Sequence, residues 1–158
     1  MYCYKVFYAE RVLITRFSGE YFEDEIDTSI LAIVNSMTID QRYSIDTVIW
    51  DLQNVTAMSL VNTDYARVIH FDREMFKLFD HPERDAVQRL SEVKLHYIKP
   101  EDSAVQEVFR ERIERVARPG RITPKLDIGD PRTISELLDS LNLTKLLPLL
   151  NDGWQGRI

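Results

Sequence analysis

The chain has 158 residues, 44% hydrophobic and 29% charged, enough for one domain with its own core and against intrinsic disorder as its default. Its formal net charge of −6 argues against a general nucleic-acid or anionic-membrane binder. Cys3 is the one cysteine, so neither a disulfide nor a cysteine zinc site can form within one chain.

Two strand patterns open the chain. Tyr2, Tyr4, Val6 and Tyr8 alternate with Cys3, Lys5 and Phe7, Glu10-Arg11 turns the chain, and Val12 to Phe17 reads as a more buried strand closed by Ser18-Gly19. From Phe22 the period changes to that of a helix, with Ile26, Ile30, Ile33, Val34 and Met37 on one stripe and Glu23, Asp24 and Glu25 in its first turn. Thr47-Val48-Ile49-Trp50 is a strand without polar alternation, which predicts cover on both faces.

A second helix is predicted from about Asn62 to Phe79. Tyr65, Val68, Ile69, Phe71, Met75, Phe76, Leu78 and Phe79 fill roughly half its circumference, and Asp72 projects from the middle of that half. His81-Pro82 breaks the pattern, and Glu83 to Leu90 reads as a short helical connection with proline at its first position. Val93, Leu95 and Tyr97 mark another strand, and Pro100 opens a helix with Val105, Val108, Phe109, Ile113 and Val116 inward. Ile122 to Ile128 is a weaker strand, which Pro124 confines to an edge. Thr133-Ile134-Ser135-Glu136 has capping-box spacing ahead of Leu137, Leu138 and Leu141, and a leucine-rich extension runs on from about residue 142. The order predicts a single α/β domain over 1–158, with a mixed, mostly parallel sheet of about five strands and helices packed on it. No apolar run approaches the roughly 20 residues that cross a bilayer, and the first residues hold no targeting run. The expectation is a cytoplasmic protein.

This element order, with Asp51-Leu52-Gln53-Asn54-Val55 leaving the third strand, resembles the STAS domains and, more narrowly, the SpoIIAA-like branch related to anti-sigma-factor antagonists. Arg16-Phe17-Ser18-Gly19-Glu20 is similar to that branch's first strand-to-helix junction. Leu126-Asp127-Ile128 with Thr133 to Leu138 is similar to its last strand and closing helix. The resemblance covers about residues 5 to 143. It implies a non-enzymatic regulatory module that meets a partner protein through a helix face and the loop Thr56 to Thr63, with Ser59, Asn62 and Thr63 as contact residues. In the antagonists that loop carries Asp-Ser-Ser-Gly, and a serine of it is phosphorylated. Counted without gaps, this chain has Ser59-Leu60-Val61-Asn62 there, so leucine and valine stand at the serine positions and the phospho-switch does not carry over.

The remaining chemistry is sparse. His70, His81 and His96 lack metal-ligand spacing and read as surface histidines, and no phosphate loop or nucleophile elbow is present. No metal, cofactor or catalytic set is expected. Arg110, Arg112, Arg115, Arg118, Arg121 and Lys125 are interleaved with Glu107, Glu111 and Glu114, the pattern of a solvated, salt-bridged helix. Asp72 is the candidate buried charge or ligand contact, with Arg16 as its candidate partner. The tail from Leu141 to Trp154 either caps the core or exposes a patch. The second case makes Leu146, Leu147, Leu150 and Trp154 candidate contacts of a homodimer. Two functions from different classes follow: a regulatory or interaction module, and a carrier or sensor of a small apolar or amphipathic ligand. An enzyme ranks third.

Overall fold

A hairpin forms the first unit because two apolar runs flank a short polar turn. In the computed structural model, which describes residues 1–22, 25–59, 65–116, 125–127 and 133–157, β1 (Tyr2–Phe7) pairs antiparallel with β2 (Val12–Tyr21). Arg11 turns the chain with φ 62° and ties the turn down. Its carbonyl accepts from the Asp46 and Thr47 amides at 2.9 and 3.1 Å, and its guanidinium bonds Asp46. β2 does not stop at Ser18-Gly19. Two register irregularities and a left-handed Gly19 (φ 84°) let it continue to Tyr21.

Helix α1 (Glu25–Asn35) buries the stripe that its period predicted, Ile26, Ile30, Ile33 and Val34, with Met37 just beyond. The five-residue α2 (Ile39–Tyr43) was not anticipated, although Thr38 and Gln41 form a full capping box whose spacing is legible in the sequence. β3 (Thr47–Met58) runs far past Trp50, so Asp51 to Val55 lie inside the strand and Thr56 to Met58 belong to it rather than to a loop. Then come α3 (Tyr65–Phe79), α4 (Ala86–Glu92), β4 (Lys94–Ile98), α5 (Ser103–Val116), β5 (Lys125–Asp127) and α6 (Ile134–Ser140). Pro82 is not the first residue of α4. Asp85 caps that helix by accepting from the Gln88 amide at 2.7 Å, and Pro82 sits in the turn bridged by His81 and Arg84. A 3₁₀ helix, Thr144–Leu150, contains Pro148, and β6 (Gln155–Arg157) ends the described chain.

The sheet order is β5-β4-β3-β2-β1-β6, parallel from β2 to β5 and antiparallel on both sides of β1. This is the mixed, mostly parallel sheet expected, with β6 as a sixth strand. Each parallel step moves in one direction along the sheet, and right-handed crossovers then place their helices on one face. Accordingly α1, α3, α4 and α5 pack with Phe17, Tyr21, Leu52, Leu95 and Tyr97. The opposite face of Phe7, Val12, Ile14, Ile49 and Ile98 is closed by α6 and the 3₁₀ helix.

The C-terminal extension is therefore a cap. Leu146 and Leu150 are buried in their own chain's core, and Leu147 and Trp154 are half-buried against it, which removes the first two from any surface offered to a second copy. Two side chains satisfy the carbonyls that a proline-containing 3₁₀ turn leaves open. Lys5 Nζ donates to the Leu149 and Asp152 carbonyls, and Trp154 Nε1 donates to the Leu150 carbonyl at 2.9 Å. Gly156 lets β6 lie against β1: a Cβ there would stand 2.7 Å from the Tyr2 carbonyl oxygen.

Across the sheet, arginines tie the helix layer together. Arg42 donates to the carbonyls of Val34 at 2.8 Å and Leu78 at 2.7 Å, and Tyr43 donates to that of Phe79 at 2.6 Å. Arg89 of α4, only 1% exposed, donates to the carbonyls of Tyr43 and Ile45. Burial lowers its pKa, with Asp46 opposing. Nothing in the spacing of the sequence marks Arg89 as a buried tie, because its role depends on carbonyls more than forty residues away in the chain.

Candidate functional site

The carboxyl ends of β2 and β3 meet where the partner-contact loop was expected. Tyr21 pairs with Met58, and the Ser59 amide extends the ladder by donating to the Tyr21 carbonyl at 3.0 Å. Ser59 is half-buried, whereas Leu60, Val61, Asn62 and Thr63 lie outside the described residues. Tyr21 is buried, its hydroxyl donates to the Met1 carbonyl, and burial pushes its pKa up to about 12. Phe22 follows at once and is 51% exposed. Its amide donates to Glu25 Oε2 at 2.7 Å, which fixes the entry into α1 and leaves the ring outside. A large aromatic residue is thus held out at the same rim as Ser59, a feature that periodicity alone did not single out.

Toward the other end of the strands, part of the helix layer is half-buried. Phe71, Met75, Phe76 and Leu78 of α3 pack against the core but stay half-buried, and so does Trp50, on the central strand β3. Tyr97 lies beneath, edge-on to Phe109 at 5.1 Å between ring centres. Its hydroxyl is buried with no hydrogen-bond partner among the described residues, and burial raises its pKa.

Asp72 is half-buried on this unsealed helix rather than enclosed, so its position does not force a buried ion pair. The enclosed carboxylate is Asp51, on the other face of the sheet. Arg16, the partner expected for Asp72, donates from Nε to Asp51 Oδ2 at 3.2 Å. Burial raises the Asp51 pKa, while the Gln53 amide and Arg16 pull it back. Sequence reasoning missed Asp51 because it follows a continuous apolar run and was read as the end of the strand.

The histidines divide. His70 is exposed and His81 half-buried, but His96 is buried on β4, against the expectation of a surface residue, because β4 is covered on both faces. Among the described residues no group of three or more His, Cys, Asp or Glu could hold a metal ion, and no helix is long and apolar enough to cross a membrane. On α5, Arg110 pairs with Glu107 one turn away, as a solvated helix face does.

No family model and no curated protein matches this chain. Among solved structures it is similar to the anti-sigma factor antagonist SpoIIAA in its unphosphorylated form, at 13% identity, over 90% of this chain and 98% of that one, with a TM-score of 0.42.

Proposed function

We propose that this chain is a non-enzymatic, regulatory protein-interaction module of SpoIIAA-like type that works without a phosphorylatable serine. The observation that carries the reading is Phe22, half exposed at the rim where Ser59 follows β3, because an aromatic side chain held in water by a fixed backbone is the kind of anchor that partner surfaces use. Asn62 and Thr63 supply the rest of the contact, and Leu60 and Val61 at the serine positions make it constitutive instead of phosphate-gated. A second reading, a small amphipathic ligand carried between α3 and the sheet, is favoured by the buried Tyr97 hydroxyl, which has no hydrogen-bond partner among the described residues, close to half-buried aromatic rings.

Native mass spectrometry of the protein purified from its own cells separates the two. The first reading predicts a second protein in fixed stoichiometry and no stoichiometric phosphate on Ser59 or Thr63. A retained small molecule in place of a protein favours the second reading, and stoichiometric phosphate at either hydroxyl contradicts the ungated mechanism.

A further inference from the structure

On the sheet face away from the helix layer, Cys3, Arg16 and Asp51 are register partners on the adjacent strands β1, β2 and β3. Most of this face is aliphatic, so a charged pair at its rim is a costly choice for packing alone. Replacing a buried ion pair by apolar groups is often neutral or stabilising. The geometry of Arg16 suggests what the pair is for. Nε is held by Asp51, which is only 4% exposed, and the guanidinium stacks on the Trp154 ring at 4.4 Å. Trp154 is itself fixed by its bond to the Leu150 carbonyl and by β6. The side chain is 32% exposed, and among the described residues Nη1 and Nη2 donate no hydrogen bond. Lys5, a neighbouring cation on this face, is committed to two carbonyls.

We propose that Arg16, mounted between Asp51 and Trp154, is a binding site for an oxyanion: the carboxylate or phosphate group of a small molecule. A guanidinium offers parallel N–H donors that match the two oxygens of either group. Ordinary surface arginines lose rotamer freedom on binding, whereas this one is already oriented by a carboxylate on one edge and an indole on one face. Arg110 illustrates the ordinary case, 59% exposed and turned back on Glu107 of its own helix. Asp51 orients the guanidinium at a cost, because its charge repels the incoming anion. The Cys3 thiol, raised by burial, is a neutral wall. The proposal uses none of the rim residues Phe22 and Ser59.

The test titrates inorganic phosphate and acetate separately, at constant ionic strength, into the full nitrogen-labelled chain and follows the arginine Nε–Hε signals by NMR. A saturable shift of one signal, with half-saturation at about millimolar anion, is expected in the parent and in Arg110→Gln, and is lost in Arg16→Gln with the amide spectrum still dispersed. Arg16→Lys keeps the charge but loses the fork, and should weaken binding about tenfold. Asp51→Asn preserves an acceptor for Nε and removes the repelling charge, so it should tighten binding severalfold. Saturation by acetate alone assigns a carboxylate and by phosphate alone a phosphoryl group. No saturable shift with either, or a shift that survives Arg16→Gln, overturns the proposal.

Discussion

The two faces of the sheet are covered by unequal means, and both enclose their central residues, Leu52 and Phe17 on one and Ile14 and Ile49 on the other. The face under α1 to α5 has five helices among the described residues, yet leaves Trp50 on the central strand and Phe71, Met75, Phe76 and Leu78 of α3 half-buried. The other face has one seven-residue helix and a 3₁₀ segment, yet Ile14, Ile49, Ile98 and Leu138 are fully enclosed. Cover depends on fit more than on the amount of secondary structure. Compact aliphatic side chains fill the second face, and the Lys5 and Trp154 bonds fix the covering segment, whereas Phe71, Met75, Phe76 and Leu78 of α3 pack on the core yet stay half-buried.

The strongest way to break this contrast is to remove the cap. A chain ending at Leu143 loses the buried Leu146 and Leu150 and the half-buried Trp154, and at roughly 2–5 kcal/mol for each large buried side chain the loss approaches the whole stability of a domain. Such a truncation should show no cooperative thermal transition. A folded, monomeric truncation would return the tail to the role of a dimer contact.

A matched pair of truncations sharpens the contrast within the folded state. Leu138→Ala on the tight face should cost about 3–5 kcal/mol in urea denaturation, and Met75→Ala on α3 about 1–2 kcal/mol, with the same slope against denaturant. Equal losses would mean that the helix layer is as well packed as its opposite.

Asp51 gives a smaller effect with a definite sign. Its raised pKa means that the native state holds this proton more tightly than the unfolded chain, so its burial opposes folding at neutral pH. That opposition fades as pH falls through the raised native value toward the ordinary one. Asp51→Asn should stay within about 1 kcal/mol of the parent, with the difference moving in the variant's favour as pH rises across that window. Asp46 works in the opposite sense, since its bond to Arg11 lowers its pKa and its contribution is lost on acidification. Movement of the Asp51→Asn difference in the other direction would show that Arg16 outweighs burial. The smallest effect falls on Asp72, half-buried on the loose side: Asp72→Ala should cost less than about 1 kcal/mol, where an enclosed pair would cost 3–5.

The sequence made the layers legible and left the joints hidden, for a physical reason. Periodicity reports which face of an element is apolar, so the stripe of α1, the both-sided cover of β3 and the Thr133 cap of α6 were all readable. Polar groups inside the fold answer to partners distant in sequence. Arg89 meets carbonyls of the α2 region, and Asp51 meets Arg16 only once β2 and β3 align. Asp72 looked enclosed because a helical wheel assumes a sealed apolar half, and α3 is not sealed. The short β6 had no signal of its own: three residues that include glycine become a strand by docking on β1. For the candidate site, Ser59 was placed by resemblance, but the exposure of Phe22 required the backbone.

The division of labour between the two sides can be tested by an equal change on each. Phe22 and Leu149 are exposed to the same degree, 51% and 50%, one at the rim beside Ser59 and the other on the 3₁₀ helix of the cap. Phe22→Asp and Leu149→Asp, each expressed as the full chain in its own cells and purified beside the parent, can be compared by native mass spectrometry for the partner bound per chain. The account predicts that Phe22→Asp loses the stoichiometric partner and Leu149→Asp keeps it. Retention by Phe22→Asp with loss by Leu149→Asp would contradict it.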